Sequence, residues 1–283
     1  MDSIKEIKSI ELSSFTTMYT GISVFFSIIA AIIFSILMVV VVPDGAGLAI
    51  YFIPTIIVGT LVISIYTAFS SGIIYNFFSK KLNAIAIAIK DDNEIVKIST
   101  TETAVMISII ITIQIILLYL VSVLLLPMLL GSMVQTLMLS GQTAVAYTLY
   151  QLMMVLSQPV TILIGIFGTF IITFVFTLIG CYIYNAVAKK GRGISVKLSD
   201  EDKLTSVDSF NPLKLAIMFA IISGVLNIIL GIISLISGAP ALNVLLNIVT
   251  GFIMGFVEFY LIGIFYNFLA PKIGTVKIKL IGL

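Results

Sequence analysis

Long apolar blocks alternate with short polar connections along the whole chain. Six blocks are long enough to cross a membrane as helices, because about 20 apolar residues span the hydrocarbon core of a bilayer. They occupy residues 18–42, 48–78, 104–126, 160–188, 213–236 and 241–269. The pattern predicts an all-α integral membrane protein whose six transmembrane helices form three helix hairpins.

Short runs of alternating apolar and polar residues lie between these hairpins. Alternation at period two is typical of a half-buried strand. Such runs follow the second, fourth and sixth blocks, and others precede the first, third and fifth, as in EIKSIEL from Glu6. We therefore expect short β-strands at the hairpin junctions. Since strand edges must be paired or covered, we hypothesise one small sheet, or a ring in which the last strand pairs with the first.

A pattern of fifteen positions recurs three times at the ends of apolar blocks. Each copy begins with Tyr-Asn, carries a small residue at the fifth position and Lys at the seventh, and continues as an alternating run. This predicts three two-span repeats, residues 1–90, 91–198 and 199–283. The middle repeat holds an uncharged insertion at about residues 127–159. The insertion is compatible with amphipathic helices on the outer leaflet or with a Met-rich docking surface.

These motifs resemble an uncharacterised family of prokaryotic two-pass transmembrane domains. That family opens with Asp-Pro-Trp-Ser-x-x-Lys and closes with Tyr-Asn, a small residue, Gly-Gly and an alternating strand. The matching residues of the third repeat are Asp208, Phe210, Lys214, Tyr266, Asn267, Ala270 and Gly274. The first repeat departs from the family pattern, with Asn83 and Ala84 where glycines are expected. The resemblance implies three copies of a two-pass unit and no assigned chemistry.

Basic residues are confined to one side of the predicted spans. All 15 Lys and Arg residues lie before the first block, between the second and third, between the fourth and fifth, or after the sixth. By the positive-inside rule this side is the cytoplasm, so we expect a multi-pass protein of the cell membrane with both termini cytoplasmic. Acidic residues are interspersed there, which suits anionic lipid headgroups or a protein partner. Nucleic acid would require a concentrated basic patch.

The composition narrows the possible chemistry. The chain has no His and one Cys, Cys181, which excludes an intrachain disulfide and His-based metal or acid/base chemistry. Glycine-rich phosphate loops, nucleophile elbows and metalloprotease helices are also absent from the sequence. We therefore expect no enzyme activity, no cofactor and no metal site.

One candidate polar site lies within the predicted spans. Glu258 is the only charged residue deep in an apolar block, and such residues usually face a bundle interior or a wet cavity. Gln114, Asn227 and Asn247 are polar spanning residues that could assist it. Two hypotheses remain open, an ion or proton ligand and a polar contact that holds a neighbouring helix.

The recurrent residues at the block ends are predicted to be structural anchors. Tyr would sit at the headgroup level, Asn would bond the last free helix carbonyls, and Lys would reach lipid phosphate. The residues assigned to this role are Tyr75, Asn76, Lys81, Tyr184, Asn185, Lys190, Tyr266, Asn267 and Lys272.

Distinctive helix ends and uncharged spans without cofactor residues favour a non-catalytic scaffold or an accessory subunit of a membrane complex. Its partners would be the lipid bilayer and other membrane subunits or further copies of itself. Alternatives are a small ion or proton pathway or transporter centred on Glu258, and, with less support, a lipid-binding protein.

Overall fold

The computed structural model describes residues 3–41, 45–91, 93–156, 158–201 and 203–282. The helices are α1 Leu12–Val41, α2 Gly45–Phe78, α3 Thr100–Leu139, α4 Thr143–Leu156, α5 Pro159–Val187, α6 Pro212–Ile236 and α7 Ala241–Ile273. The strands are β1 Ser3–Ile10, β2 Ala86–Lys90, β3 Glu94–Ile98, β4 Ile194–Glu201, β5 Leu204–Phe210 and β6 Val276–Gly282. A π-helical turn, Ala188–Arg192, joins α5 to β4. The chain divides into two compact units, Met1–Met106 with Leu178–Leu283, and Ile107–Thr177.

In the described part of the chain the strands form a closed antiparallel barrel in sequence order, with β6 pairing β1. The prediction of an all-α protein is therefore wrong, whereas the ring proposed as one arrangement of the strands is confirmed. Each strand has only five to eight residues, and an isolated hairpin of that length is marginal in water. Closure of the barrel stabilises these short strands because it leaves no strand edge unpaired.

Apolar side chains of the barrel strands pack against the helices. Ile194, Val196 and Leu198 of β4 pack with α5 and α6, and Val207 of β5 packs with Met18 of α1 and with α7. An eight-stranded barrel is just wide enough to be filled by side chains, so a six-stranded barrel holds a solid core. The barrel therefore does not form a pore along its axis.

Among the residues that the structure describes, six helices are long and apolar enough to cross a membrane, which makes this a multi-pass membrane protein. Helix α1 packs along α2, α6 packs along α7, and α1 also contacts α7. The rings of Phe219 and Phe259 stack between α6 and α7 with centroids 3.6 Å apart. Gly224 lies beside Phe252 so closely that a Cβ atom would overlap the ring. These contacts hold the α6–α7 pair together.

Helices α2 and α7 are longer than a bilayer requires. Helix α2 has 34 residues and α7 has 33, so each is about 50 Å long at 1.5 Å per residue, against a hydrocarbon core of about 30 Å. Their final turns pack on the barrel, where Tyr75 and Tyr266 are buried. The extra length places the closing turns of these helices against the strands.

Two strand-to-helix junctions are closed by side-chain caps. The Ser14 N–H donates to the Glu11 carboxylate at 2.7 Å at the start of α1. The Lys214 N–H donates to Asn211 Oδ1 at 3.1 Å at the start of α6. The Ser14 hydroxyl also accepts the backbone N–H of Lys277 at 3.0 Å, which joins the start of α1 to β6.

The second unit, Ile107–Thr177, contains the predicted insertion at about residues 127–159. The insertion extends α3 to Leu139 and supplies α4, so its described residues are largely helical. Exposed methionines line it, among them Met128, Met133 and Met154. Its placement on the outer leaflet and its use as a docking surface remain predictions.

Candidate functional site

An asparagine near the end of α2, α5 and α7 pairs with the backbone of a barrel strand. Asn76 Oδ1 accepts the Ile10 N–H at 2.7 Å, and its Nδ2 donates to the Ile10 carbonyl at 2.8 Å. Asn185 makes both bonds with Ile98 at 2.8 Å, and Asn267 makes both with Phe210 at 2.9 and 2.8 Å. Each amide thus bonds its partner residue through donor and acceptor, as a neighbouring strand would.

The tyrosine before each asparagine bonds the same strand three residues earlier. The Tyr75 hydroxyl donates to the Ile7 carbonyl at 2.6 Å, and the Tyr184 hydroxyl donates to the Ile95 carbonyl at 2.6 Å. The Tyr266 hydroxyl donates to the Val207 carbonyl. We call each Tyr-Asn pair with its two strand partners a Tyr–Asn clamp.

Each hydroxyl also contacts the N–H of the residue ten positions further along. Tyr266 accepts the Val276 N–H at 3.1 Å, and Tyr184 accepts the Ile194 N–H at 3.4 Å. The N–H of Ile85 lies against Tyr75 in the same way. One hydroxyl therefore connects the strand that opens a helix pair with the chain that leaves it.

The structure corrects the predicted role of the clamp residues. The side chains of Tyr75, Tyr184 and Tyr266 are only 4%, 3% and 4% exposed, so they do not reach lipid headgroups. The Asn amides bond strands instead of the last helix carbonyls. The helices are long enough for their closing turns to pack on the barrel, so a Tyr in those turns faces protein and not lipid.

The lysines assigned to the same role lie on the surface. The Lys81 ammonium is 4.3 Å from the centroid of the Phe77 ring, and that of Lys272 is 3.4 Å from the Phe268 centroid. Lys190 is exposed in the π-helical turn. Cation–π contacts of this kind hold an ammonium near a ring while leaving it accessible. Their contact with lipid phosphate remains a prediction.

The candidate intramembrane site is only partly assembled. Asn227 and Asn247 line one groove between α6 and α7, with a volume of about 430 Å³. Glu258 is exposed on α7, 11 residues from Asn247 and so about 16 Å further along the helix. Gln114 is half-buried in the α3 portion of the second unit. The two asparagines therefore line the same groove, and Glu258 lies outside it.

Glu258 lies towards the barrel end of its helix pair. Five residues beyond it, Gly263 packs against Pro212, the first residue of α6. Its carboxylate is therefore about 8 Å above the level at which α6 begins. This placement differs from the bundle interior or wet cavity expected for a deep intramembrane carboxylate.

Acidic side chains of the barrel are bound by neighbouring groups. Glu201 pairs with Lys277 at 2.5 Å, Glu94 lies 3.7 Å from Lys214, and Glu6 pairs with Lys8. The hydrogen bond and charge of Lys277 lower the pKa of Glu201 below its ordinary value. Within the described residues, no three His, Cys, Asp or Glu side chains are grouped as metal ligands would be.

Sequence reasoning missed the strand partners of the clamps. Ile7 and Ile10, Ile95 and Ile98, and Val207 and Phe210 are ordinary strand residues that contribute only backbone atoms. The sequence carries no signal for them, because almost any residue type can supply a backbone N–H and carbonyl. Gly193, which matches the closing glycine of the family pattern, has a steric role that the sequence did not reveal. A Cβ there would overlap the Ile95 carbonyl oxygen, so glycine is needed where β4 begins beside β3.

No model of a known protein family matches the chain, and no curated protein sequence or solved structure matches it. The resemblance to two-pass transmembrane domains therefore stays a prediction.

Proposed function

We propose that the protein is a non-catalytic scaffold or accessory subunit of a complex in the cell membrane. The barrel would lie on the cytoplasmic side and fix the ends of three helix pairs. The observation that carries this proposal is the Tyr–Asn clamp, which occurs at the end of α2, α5 and α7 with the same donors and acceptors. In each clamp the polar side chains bond backbone, so they hold structure and leave little for a substrate.

The clamps also support three structural repeats with the boundaries 1–90, 91–198 and 199–283. Each clamp joins a helix end and a strand of the same predicted repeat, such as Tyr184 with Ile95. A two-pass unit opened by one strand and closed by another agrees with the family resemblance drawn from the sequence. We propose that the chain contains three copies of such a unit.

Charge on the barrel supports a cytoplasmic location and an anionic neighbour. Glu6, Glu94 and Glu201 are paired with lysines, whereas Lys97 and Lys279 are exposed. The described strands carry seven lysines and five carboxylates, so the barrel has a small excess of positive charge. Such a surface suits anionic headgroups or an acidic face of a partner subunit.

An ion or proton pathway receives less support from the geometry. A pathway needs polar groups that converge, yet Glu258 is exposed and about 16 Å along the helix from Asn247. The solid core of the barrel offers no continuation on that side. A scaffold accounts for the same residues without a conduction route.

The scaffold proposal is tested by isolating the tagged full chain from native membranes in mild detergent and measuring particle mass and co-purifying proteins. We expect a stoichiometric complex. Lys97→Glu with Lys279→Glu should weaken association with a partner that contacts the barrel, while Lys97→Arg with Lys279→Arg keeps the charge and serves as the matched control. Recovery of the wild-type chain as a lone monomer would overturn the proposal.

A further inference from the structure

A polar stripe runs along the exposed face of α7. Asn243, Asn247 and Thr250 are exposed, and Met254 on the same face is 57% exposed. With 3.6 residues per turn these four residues lie within about 60° of one another around the helix. We refer to them as the α7 stripe.

The stripe lies in a membrane-spanning helix, where outward-facing polar groups are costly. Asn247 is six residues from the start of α7 and Thr250 is nine, so they lie about 9 and 14 Å from that helix end. In hydrocarbon an amide without a hydrogen-bond partner costs free energy, since lipid tails cannot replace water. A partner that offers hydrogen bonds along the stripe would remove this cost.

The neighbouring helix extends the polar surface at the same depth. Asn227 of α6 is nine residues from the end of its helix and lines the groove beside Asn247 and Thr250. Its Nδ2 donates to the Ser223 carbonyl at 2.8 Å, so the side chain is held in place. Gly251 makes room for it, because a Cβ there would overlap the Asn227 amide.

The distribution of these groups favours a helix as the occupant. From Asn243 to Met254 the stripe extends for about 16 Å along the axis. A small ligand in the groove beside Asn227 would reach Asn247 and Thr250 but would leave Asn243, which does not line that groove, without a partner. Groups spaced along one helix face instead match the repeated contacts of a second helix, as polar residues do in membrane helix pairs.

We infer that the α7 stripe is an interface with a second copy of this chain. Two copies in one membrane share their orientation, so a two-fold axis along the membrane normal brings each residue of the stripe to the depth of its own counterpart. Asn and Thr each carry a donor and an acceptor and can therefore bond their own counterparts.

The α7 interface would be one contact within the assembly proposed above. It rests on that proposal in one respect, since both require the chain to form an oligomer. It is tested by cysteine cross-linking of the full chain in native membranes, in a Cys181→Ala background. Met254→Cys places the reporter on the stripe without removing a polar group. Leu245→Cys is the matched control, because Leu245 is 58% exposed on the opposite face of α7.

We expect Met254→Cys to form a cross-linked dimer and Leu245→Cys to remain monomeric. Adding Asn247→Leu should lower the Met254→Cys dimer yield about threefold or more, whereas Asn247→Gln, which keeps an amide, should retain most of it. Equal yields at the two cysteine positions would overturn the inference. So would a lipid that co-purifies in place of the dimer and is lost in Asn247→Leu.

The two proposals fail in different ways. A hetero-complex that persists with no Met254→Cys dimer would overturn only the α7 interface. A protein that is monomeric in native membranes would overturn both. A Met254→Cys dimer that contains no other subunit would support the interface and restrict the assembly to copies of this chain.

Discussion

The Asn267 side chain makes a two-way hydrogen-bonded pair with the backbone of Phe210. Its Oδ1 accepts the Phe210 N–H at 2.9 Å, and its Nδ2 donates to the Phe210 carbonyl at 2.8 Å. Phe210 ends β5, so these bonds satisfy backbone groups where the strand gives way to α6. The ring of Phe210 also packs edge-on against Tyr266, with centroids 4.8 Å apart. Backbone pairing and side-chain packing thus coincide at one clamp.

Replacing a clamp asparagine by aspartate should destabilise the protein. Asn185→Asp keeps the shape but replaces the Nδ2 donor by an oxygen that faces the Ile98 carbonyl. We expect a loss of about 1–3 kcal/mol in the free energy of unfolding, measured from thermal or denaturant unfolding in detergent. Asn83→Asp, an exposed position, is the control and should change stability by less than about 0.5 kcal/mol. Equal effects at the two positions would contradict the clamp.

Removing a clamp hydroxyl should have a similar effect. Tyr266→Phe leaves the Val207 carbonyl and the Val276 N–H without their side-chain partner in a buried site. We expect a loss of about 1–3 kcal/mol and faster amide hydrogen exchange at Val276. Tyr182→Phe removes a hydroxyl from a side chain that is 60% exposed and should be close to neutral. Unchanged exchange at Val276 would show that the hydroxyl does not hold β6.

The cap at the start of α1 should make stability depend on acid pH. Burial tends to raise the pKa of Glu11, but hydrogen bonds from Ser14 and Ser13 and the charge of Lys277 together outweigh it and hold the pKa below the ordinary value of 4.5. A lowered folded-state pKa stabilises the fold above the ordinary pKa, and this stabilisation is lost as the pH falls through the lowered value. We expect the wild type to lose about 0.5–1 kcal/mol more than Glu11→Gln between pH 6 and about pH 3. Parallel pH profiles of thermal unfolding would contradict the cap.

Replacing Glu258 by a neutral residue should change neither ion flux nor stability. The carboxylate is exposed and separate from the groove that holds Asn227 and Asn247. In proteoliposomes we expect no proton or sodium flux above that of empty vesicles for either the wild type or Glu258→Gln. We also expect a change in unfolding free energy of less than about 0.5 kcal/mol. A wild-type flux that disappears in Glu258→Gln would instead support the ion pathway.

The spanning helices and the strands could be predicted from the sequence, because each follows from the hydrophobic periodicity within a short window. Runs of about 20 apolar residues and the alternation at EIKSIEL are both local signals. The fold class was predicted wrongly because it depends on how strands far apart in the sequence pair with one another. Strands of five to eight residues predict little by themselves, and only their closure into one ring makes the barrel a major element.

The sequence prediction identified the Tyr and Asn residues of the clamps but not their contacts. The recurrence of Tyr-Asn identified the residues, but the direction of their side chains depends on where the membrane ends relative to the helix. Sequence alone places Tyr75 at the end of an apolar block, which is also where a headgroup anchor would lie. Its contact with Ile7 is 68 positions away and involves a backbone atom, so no residue type in β1 reveals it. Similarly, exposure of Glu258 depends on how α7 packs with its neighbours.

Closure of the barrel by β1 and β6 has a consequence for biosynthesis. Ile10 lies opposite Ile278, and β6 follows α7, so the last seam forms only after every helix pair has been made. At about 5–20 residues per second, β1 waits on the order of ten seconds or more for its second neighbour. Until then β1, and later β5, each have one open edge. Sealing those edges would then report that the last spanning helix has been made.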